Sequence, residues 1–291
     1  MSTENKFNSS LPLLLGVMGD PIAHSKSPAM HNAALKAAGV HGMYMPLHVH
    51  PDQLEAAVRG ITALGYRGVN VTIPHKEQVM QYLDVIDESA RLIGAVNTIV
   101  NENGTLTGYN TDGIGYVRSL KEEAVPQIEG KRIAVLGAGG AARGVIYALA
   151  LEKPGQISIL NRTADRAVSL AADLQSYDLG NISGGGMQDA QAVLAAADIV
   201  INTTAAGMHP HMDEVPVDPA WIREGAAVSD LIYNPLETRL LRESRLRGCT
   251  VHGGLGMFVY QGAVAFEHWL GISAPVDAMR RAVLESFENN N

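Results

Sequence analysis

Short unbroken apolar runs alternate along the chain with longer stretches whose apolar positions recur every three to four residues. Such alternation predicts an α/β fold with mainly parallel sheets, because each buried strand is followed by a helix that covers it. The first run, 13–18, ends at the turn Gly19-Asp20-Pro21. A helix is then predicted from Ser27-Pro28 through Met30, Ala33, Ala34 and Ala37 to a stop at Gly39, with Ser27 as its cap and Pro28 at its first position. Strands are predicted over 44–49, 68–72 and 96–100, and helices over 52–64, 75–83 and 87–93. Asn103-Gly104 turns the last of these strands back into a hairpin partner over 105–109.

A charged stretch carrying Pro126 reads as a linker, and a second strand–helix block opens beyond it with the buried strand 131–136. Strands over 157–160, 198–202 and 227–231 alternate there with helices over 143–151, 164–174, 190–196 and 238–247. Ser183-Gly184-Gly185-Gly186 reads as a flexible loop. The stretch 257–287 is helical but no longer alternates with strands, so it either caps the second block or returns to the first. No internal repeat is visible.

At 291 residues the chain exceeds what one core usually serves, which points to two domains. Apolar residues at 46% and charged residues at 18% describe a globular composition, and no uncharged apolar stretch reaches the length of a membrane span. The first ten residues are polar, unlike a secretory signal, and read as a dispensable leader, so a cytoplasmic setting is expected. Twenty-two basic against thirty acidic residues leave a net charge of −8, with no basic run to follow a phosphate backbone, so no nucleic-acid partner is expected. The single cysteine, Cys249, excludes an internal disulfide and a cysteine-rich zinc site. His48/His50 and His209/His211 are spaced to share a face, but without a third ligand they read as solvated side chains, and no metal is expected. A homodimer is compatible with the sequence, which does not fix an oligomeric state.

The strand over 131–136 runs into Gly137-Ala138-Gly139-Gly140-Ala141-Ala142 and then into a helix. In that strand–turn–helix context Gly137 permits the tight turn, Gly139 lets the backbone approach a pyrophosphate, and Ala142 allows close packing of helix on sheet. The helix N-terminus offers its amides to the phosphates. At the end of the next strand, where an NAD site carries an acid, stand Asn161-Arg162-Thr163, with Arg166 one turn on. A guanidinium pairs with a 2′-phosphate that a carboxylate would repel, so NADP is preferred to NAD.

The first block has polar strand ends: Asn70-Val71-Thr72-Ile73-Pro74-His75-Lys76, Gly94-Ala95-Val96-Asn97-Thr98 and Gly108-Tyr109-Asn110-Thr111-Asp112-Gly113. With His24-Ser25-Lys26-Ser27-Pro28 and Gly253-Gly254-Leu255-Gly256-Met257, these motifs resemble the shikimate dehydrogenase family, in the family's order, from about Leu14 to Trp269. The resemblance implies two α/β domains: a discontinuous substrate-binding domain, 1–112 with 255–291, and a Rossmann-type NADP-binding domain, 113–254. The implied activity is NADPH-dependent reversible reduction of 3-dehydroshikimate to shikimate, a step toward chorismate and the aromatic amino acids.

Reduction of a ring ketone needs a hydride and a proton for the developing oxyanion, and Lys76 can donate that proton. Asp112, matched to the family's paired carboxylate, would hold the ammonium and a ring hydroxyl. Ser25 and Ser27 suit the carboxylate at a helix N-terminus, while Asn70, Thr72 and Asn97 would take ring hydroxyls unless they bond to neighbouring backbone. The family also implies the cofactor-bordering positions Thr203, Leu231 and Gly254 and a substrate contact at Tyr233. Met257 and Gln261, four apart on a helix, would share a face toward nicotinamide and shikimate, unless Met257 packs in the core. A quinate/shikimate dehydrogenase of broader substrate or NAD use, and a catalytically silent NADP-binding sensor on the same scaffold, remain as alternatives.

Overall fold

The computed structural model describes residues 11–288; the leader expected at 1–10 lies outside them. The described chain forms two compact units, one reaching to Thr111 and resuming at Gln261, the other Asp112–Tyr260. The resemblance implies a second boundary at 254/255, and the compact units divide at 260/261, inside the continuous helix Gly254–Leu270.

In the first unit β1 (Leu13–Gly19), α1 (Ser27–Ala37), β2 (Gly42–His48), α2 (Leu54–Ala63), β3 (Tyr66–Val71), β4 (Val85–Ile86), α3 (Glu88–Ile93), β5 (Thr98–Glu102) and β6 (Thr105–Tyr109) follow in order. The sheet runs β2-β1-β3-β5-β6-β4. It is mixed rather than parallel throughout: β1, β2 and β3 are parallel, whereas β5 runs against both β3 and β6. Val58 and Ile61 of α2 pack with Met18, Val69 and Ile99 in the core on one face.

The second unit opens with α4 (Asp112–Glu123) and continues through β7 (Arg132–Leu136), α5 (Gly140–Leu151), β8 (Gln156–Leu160), α6 (Ala164–Gln175), β9 (Ile182–Gly185), α7 (Ala190–Ala196), β10 (Ile199–Asn202), β11 (Ala227–Asp230), α8 (Arg239–Leu246) and β12 (Thr250–His252). Its six strands are all parallel in the order β12-β11-β10-β7-β8-β9. That is the doubly wound order, with its topological switch between β7 and β10. The last helices are α9 (Gly254–Leu270) and α10 (Val276–Glu288). From Gln261 onward they belong to the first unit, where α10 packs along α1. The indole of Trp269 donates to the Ile99 carbonyl at 2.9 Å.

Four elements differ from expectation. The stretch expected as a linker contains α4, whose Gly113 and Gly115 weaken helix propensity. They are buried because α4 presses on α5: a Cβ on Gly113 would lie 2.2 Å from the Gly144 carbonyl oxygen. The glycine run at 183–186 is mostly the edge strand β9; a Cβ on Gly184 would meet the Ala167 carbonyl at 2.2 Å, so the glycines admit α6 and are not slack. In place of a helix over 75–83 there is a turn and then a 3-10 segment, Gln78–Tyr82. The buried His75 ring, whose Nε2 lies 2.6 Å from the Val49 carbonyl, holds the chain in that turn. Finally Ser27 is the first residue of α1, not its cap; its amide donates to the Ser25 hydroxyl at 3.3 Å.

Candidate active site

In the first unit the register brings the polar strand ends to one edge of the sheet. Asn70 of β3 pairs with Thr98 of β5, and Thr98 with Tyr109 of β6, so the C-termini of β3 and β6 flank the start of β5. The side chains there form a closed hydrogen-bonded cluster. Asn70 Nδ2 donates to the Asn97 carbonyl at 3.1 Å and to Thr98 Oγ1 at 3.0 Å, and Asn70 Oδ1 accepts from the Tyr44 hydroxyl at 2.7 Å. Asn97 Oδ1 accepts from the Thr98 hydroxyl at 3.0 Å and the Thr111 amide at 2.9 Å, while its Nδ2 donates to Thr111 Oγ1 at 3.0 Å. Asn70, Asn97, Thr98 and Thr111 are all buried. Buried amides need such partners, and once paired they hold one orientation.

Tyr44 lies flat on His31 of α1, their rings 4.3 Å apart at 11°. Burial pushes its hydroxyl well above the usual phenol range, an effect opposed by the Ser27 hydroxyl beside it. His31 is itself wholly buried, neither ring nitrogen has a hydrogen-bond partner among the described residues, and desolvation lowers its pKa to about 3. The imidazole is therefore a neutral packing plate.

Lys76 is half-buried just past the end of β3. Its carbonyl accepts from the Val96 amide at 2.8 Å, which ties its turn to the start of β5. Thr72 is half-buried, and its amide donates to the Met18 carbonyl at 2.9 Å. Ser25 and Gln261 are half-buried and Ser27 is buried, all in this unit.

Asp112 belongs to the other unit, in the first turn of α4, where the helix dipole favours a carboxylate. A buried chain of polar groups fixes that helix: the Tyr116 hydroxyl donates to Ser229 Oγ at 2.9 Å, and the His252 ring spans Ser229 Oγ at 2.8 Å and Ser119 Oγ at 2.7 Å. Nothing in the spacing of these residues advertises that network, because two of its three bonds join positions more than a hundred apart.

At the switch point β7 is followed directly by Gly137, whose φ of +110° favours glycine. A Cβ there would lie 2.5 Å from Thr203 Oγ1, the first side chain beyond β10, which donates to the Leu136 carbonyl at 2.7 Å. Gly139 and Gly140 face open space, Ala141 is exposed, and no side chain caps the N-terminus of α5. Backbone amides there are thus open to an anion. Ala142 is buried in the core beneath, as close packing requires.

Ala138, Gly139 and Gly140 line a cleft of about 440 Å³ with Arg166 and Arg143, the latter paired with Asp173 at 3.2 Å. Arg162 and Thr163 are exposed on the turn before α6, and Asn161 Nδ2 braces that turn by donating to the Thr163 carbonyl at 2.9 Å. The reading of the sequence misses Arg143; its spacing of four from Gly139, one helical turn, is the signal that could have found it.

On the other side of the switch Asp230 is fully buried. It accepts from Asn202 Nδ2 at 3.1 Å, the Ile232 amide at 3.1 Å and the Thr238 hydroxyl at 2.8 Å, so it ties β10 to both ends of the loop after β11. Desolvation raises its pKa to about 6 against these bonds. Within that loop the Leu231 carbonyl comes so near Gly254 that a Cβ there would lie 2.2 Å away. Tyr233 rests against Phe258 at 5.1 Å, and Met257 is only half-buried, touching the edge of this unit's core while part of its side chain stays accessible. Among the described residues no group of three His, Cys, Asp or Glu could hold a metal: His48 pairs with Asp20 at 2.7 Å and His50 with Asp52 at 2.8 Å.

Three segments match known family profiles: residues 17–99 the shikimate dehydrogenase substrate binding domain, 119–217 shikimate / quinate 5-dehydrogenase, and 254–284 the shikimate 5'-dehydrogenase C-terminal domain. The chain is 50% identical to the shikimate dehydrogenase (NADP(+)) of Symbiobacterium thermophilum, over 94% of its own length and 95% of that relative's. The chain belongs to the shikimate dehydrogenase family. Its fold follows that of other members: the shikimate 5-dehydrogenase of Thermus thermophilus in complex with NADP(H) and shikimate is similar with a TM-score of 0.85 at 34% identity, covering 94% of this chain and 99% of that one. The quinate dehydrogenase of Corynebacterium glutamicum, in complex with NAD, is similar with a TM-score of 0.88 at 31% identity, covering 94% of this chain and 99% of that one. Family profiles and structures thus span both shikimate and quinate, which carries a hydroxyl on a saturated ring carbon where shikimate has a ring double bond, and the choice between them rests on this chain's own side chains.

Proposed function

We propose that this family member is an NADP-dependent shikimate dehydrogenase, reversibly reducing 3-dehydroshikimate to shikimate. The reading rests above all on the buried Asn70–Asn97 cluster at the sheet edge from which the Lys76 turn departs. A ring with several hydroxyls and one carboxylate calls for short, pre-oriented polar side chains of this kind. The first unit would be the substrate-binding domain and Asp112–Tyr260 the NADP-binding domain. No helix among the described residues is long and apolar enough to cross a membrane, and a cytosolic setting accords with a chain holding one cysteine. A homodimer stays compatible with this reading.

The open amides of Gly139 and Gly140, the glycine-only turn at Gly137 and the arginines beyond β8 fit a dinucleotide with a 2′-phosphate. The turn 137–141 would hold the pyrophosphate. Asn161, Arg162, Thr163 and Arg166 would hold the adenosine phosphate, and Thr203, Leu231, Gly254 and Met257 would border the nicotinamide. NADPH, when bound, supplies the hydride for the ring carbonyl carbon. Lys76 delivers a proton to the carbonyl oxygen as its C=O bond becomes C–O–H. In the reverse direction Lys76 takes that proton back. Asp112, in the first turn of α4, would be the reaction's carboxylate, taking a ring hydroxyl. Ser25 and Ser27 receive the carboxylate, and Asn70, Thr72, Asn97, Tyr233 and Gln261 the hydroxyls.

Appearance of the reduced-nicotinamide absorbance on mixing protein, NADP and shikimate tests this. Lys76→Ala should lower kcat by about 10²–10⁴-fold with NADP affinity kept. Intact NADP binding with no shikimate-dependent signal at any pH would instead identify a silent cofactor-binding module. Because a structurally similar family member is a quinate dehydrogenase bound to NAD, rates with shikimate and quinate under both cofactors complete the test; faster quinate turnover with NAD would overturn the assignment.

A further inference from the structure

We propose that Tyr44 and Thr98 are positioning residues that make Asn70 a pure hydrogen-bond acceptor toward a ring hydroxyl that the reaction leaves unchanged. An asparagine amide has two N–H donors and two carbonyl lone pairs. Both Asn70 protons are used, on the Asn97 carbonyl at 3.1 Å and on Thr98 Oγ1 at 3.0 Å. The first of these acceptors is backbone and cannot become a donor. The second has Asn97 Oδ1 at 3.0 Å and Thr111 Oγ1 at 3.4 Å to take its own proton, which leaves its oxygen to accept from Asn70. Turning the amide over would face carbonyl oxygen against carbonyl oxygen in a buried site, so its orientation is set.

One lone pair of Asn70 Oδ1 is taken by the Tyr44 hydroxyl at 2.7 Å, which fixes the oxygen in place. Tyr44 is held in turn by its stack on the neutral His31 ring. What Asn70 can present to a ligand is the second lone pair, which needs an O–H partner. A keto oxygen has no proton to give. The group facing Asn70 must therefore be a hydroxyl in both 3-dehydroshikimate and shikimate, not the carbon–oxygen group that is reduced.

This inference rests on the proposed substrate site, and its test separates the two. KM and kcat are measured in both directions for wild type, Tyr44→Phe, Asn70→Ala and the double variant. Tyr44→Phe removes one hydroxyl and keeps the stack. It should raise KM for shikimate and for 3-dehydroshikimate by the same factor, about fivefold for one neutral hydrogen bond, with kcat and NADP affinity within about twofold. In the Asn70→Ala background the same change should leave KM within about twofold, and in a Ser27→Ala background it should keep its full effect, because Tyr44 acts through Asn70 and not through the Ser27 hydroxyl beside it. Thr98→Val removes the other side-chain partner and should also raise both KM values equally, which keeps the test open if Tyr44→Phe does not fold. An unchanged KM in these single variants, a rise for only one of the two ring substrates, or an undiminished Tyr44→Phe effect without Asn70 would overturn the proposal. If Asn70→Ala itself leaves KM unchanged, the placement of substrate at this cluster fails, and the proposal with it.

Discussion

The neutral, partnerless imidazole of His31 should make the stability of the first unit depend on pH. Its folded pKa is about 3 against 6.5 in the open chain, so between those values the unfolded state binds a proton that the folded state refuses. Stability contributed by the neutral ring is then complete above pH 6.5 and falls as the pH drops through the window, by about 1.4 kcal/mol per pH unit. From pH 6.5 to 4.5 the loss is about 2.3 kcal/mol, a large part of a typical stability of about 5–15 kcal/mol. His31→Phe removes the titration and keeps an aromatic face against Tyr44. The larger ring costs about 1–3 kcal/mol in packing at every pH, because the imidazole already lies close to Gly262, its Nε2 3.3 Å from where a Cβ there would stand. Urea unfolding can be followed through Trp269, whose ring lies 5.3 Å from His31, in a Trp221→Phe background that leaves one indole. The difference in unfolding free energy between the parent protein and its His31→Phe variant should shift toward the variant by about 2–3 kcal/mol between pH 7 and pH 4.5. A difference that stays flat over that range would refute the reasoning.

Asp230 should act in the opposite sense. Its folded pKa of about 6 lies above the ordinary 3.8, so the wild-type second unit should gain about 2 kcal/mol on acidification from pH 6 to 4, and Asp230→Asn should not; parallel pH curves would exclude a strained carboxylate. Gly68→Ala should cost about 3 kcal/mol, since its Cβ would lie 2.1 Å from Trp269 Nε1 and 2.4 Å from the Ile99 carbonyl, so an unaltered thermal midpoint would contradict the packing described. Arg162→Ala and Arg166→Ala should each reduce the preference for NADP over NAD in kcat/KM by about 10-fold or more, as loss of a charge-assisted bond requires; an unchanged ratio removes that residue from phosphate recognition.

Much of the architecture was legible because its causes are local. Strand 132–136, the glycine turn after it and the helix beyond are neighbours in sequence, so the pattern of apolar run, Gly137, Gly139 and Ala142 announces a dinucleotide fold directly. The helix opening with Ser27-Pro28 and the hairpin at Asn103-Gly104 are equally local. Local rules failed where a distant contact reverses their sense. Gly113 and Gly184 look like helix breakers or slack loop until α5 and α6 are laid against them. His75 ends the expected helix only because the Val49 carbonyl lies within its reach.

The side chains that bear chemistry divide in the same way. Lys76, Asp112, Asn70, Asn97 and the arginines beyond β8 are determined as residue types by the sequence, since each sits in a motif read without a partner. Their hydrogen-bonding character is decided only by tertiary structure. Asn70 is an acceptor because a backbone carbonyl and Thr98 take its protons while Tyr44, twenty-six residues away, takes one lone pair. His31 is neutral because α1 carries it into a core without partners, and Asp230 is strained because β11 carries it into another. A motif names a donor or a charge, but which proton it holds depends on the dielectric and the partners that folding brings to it.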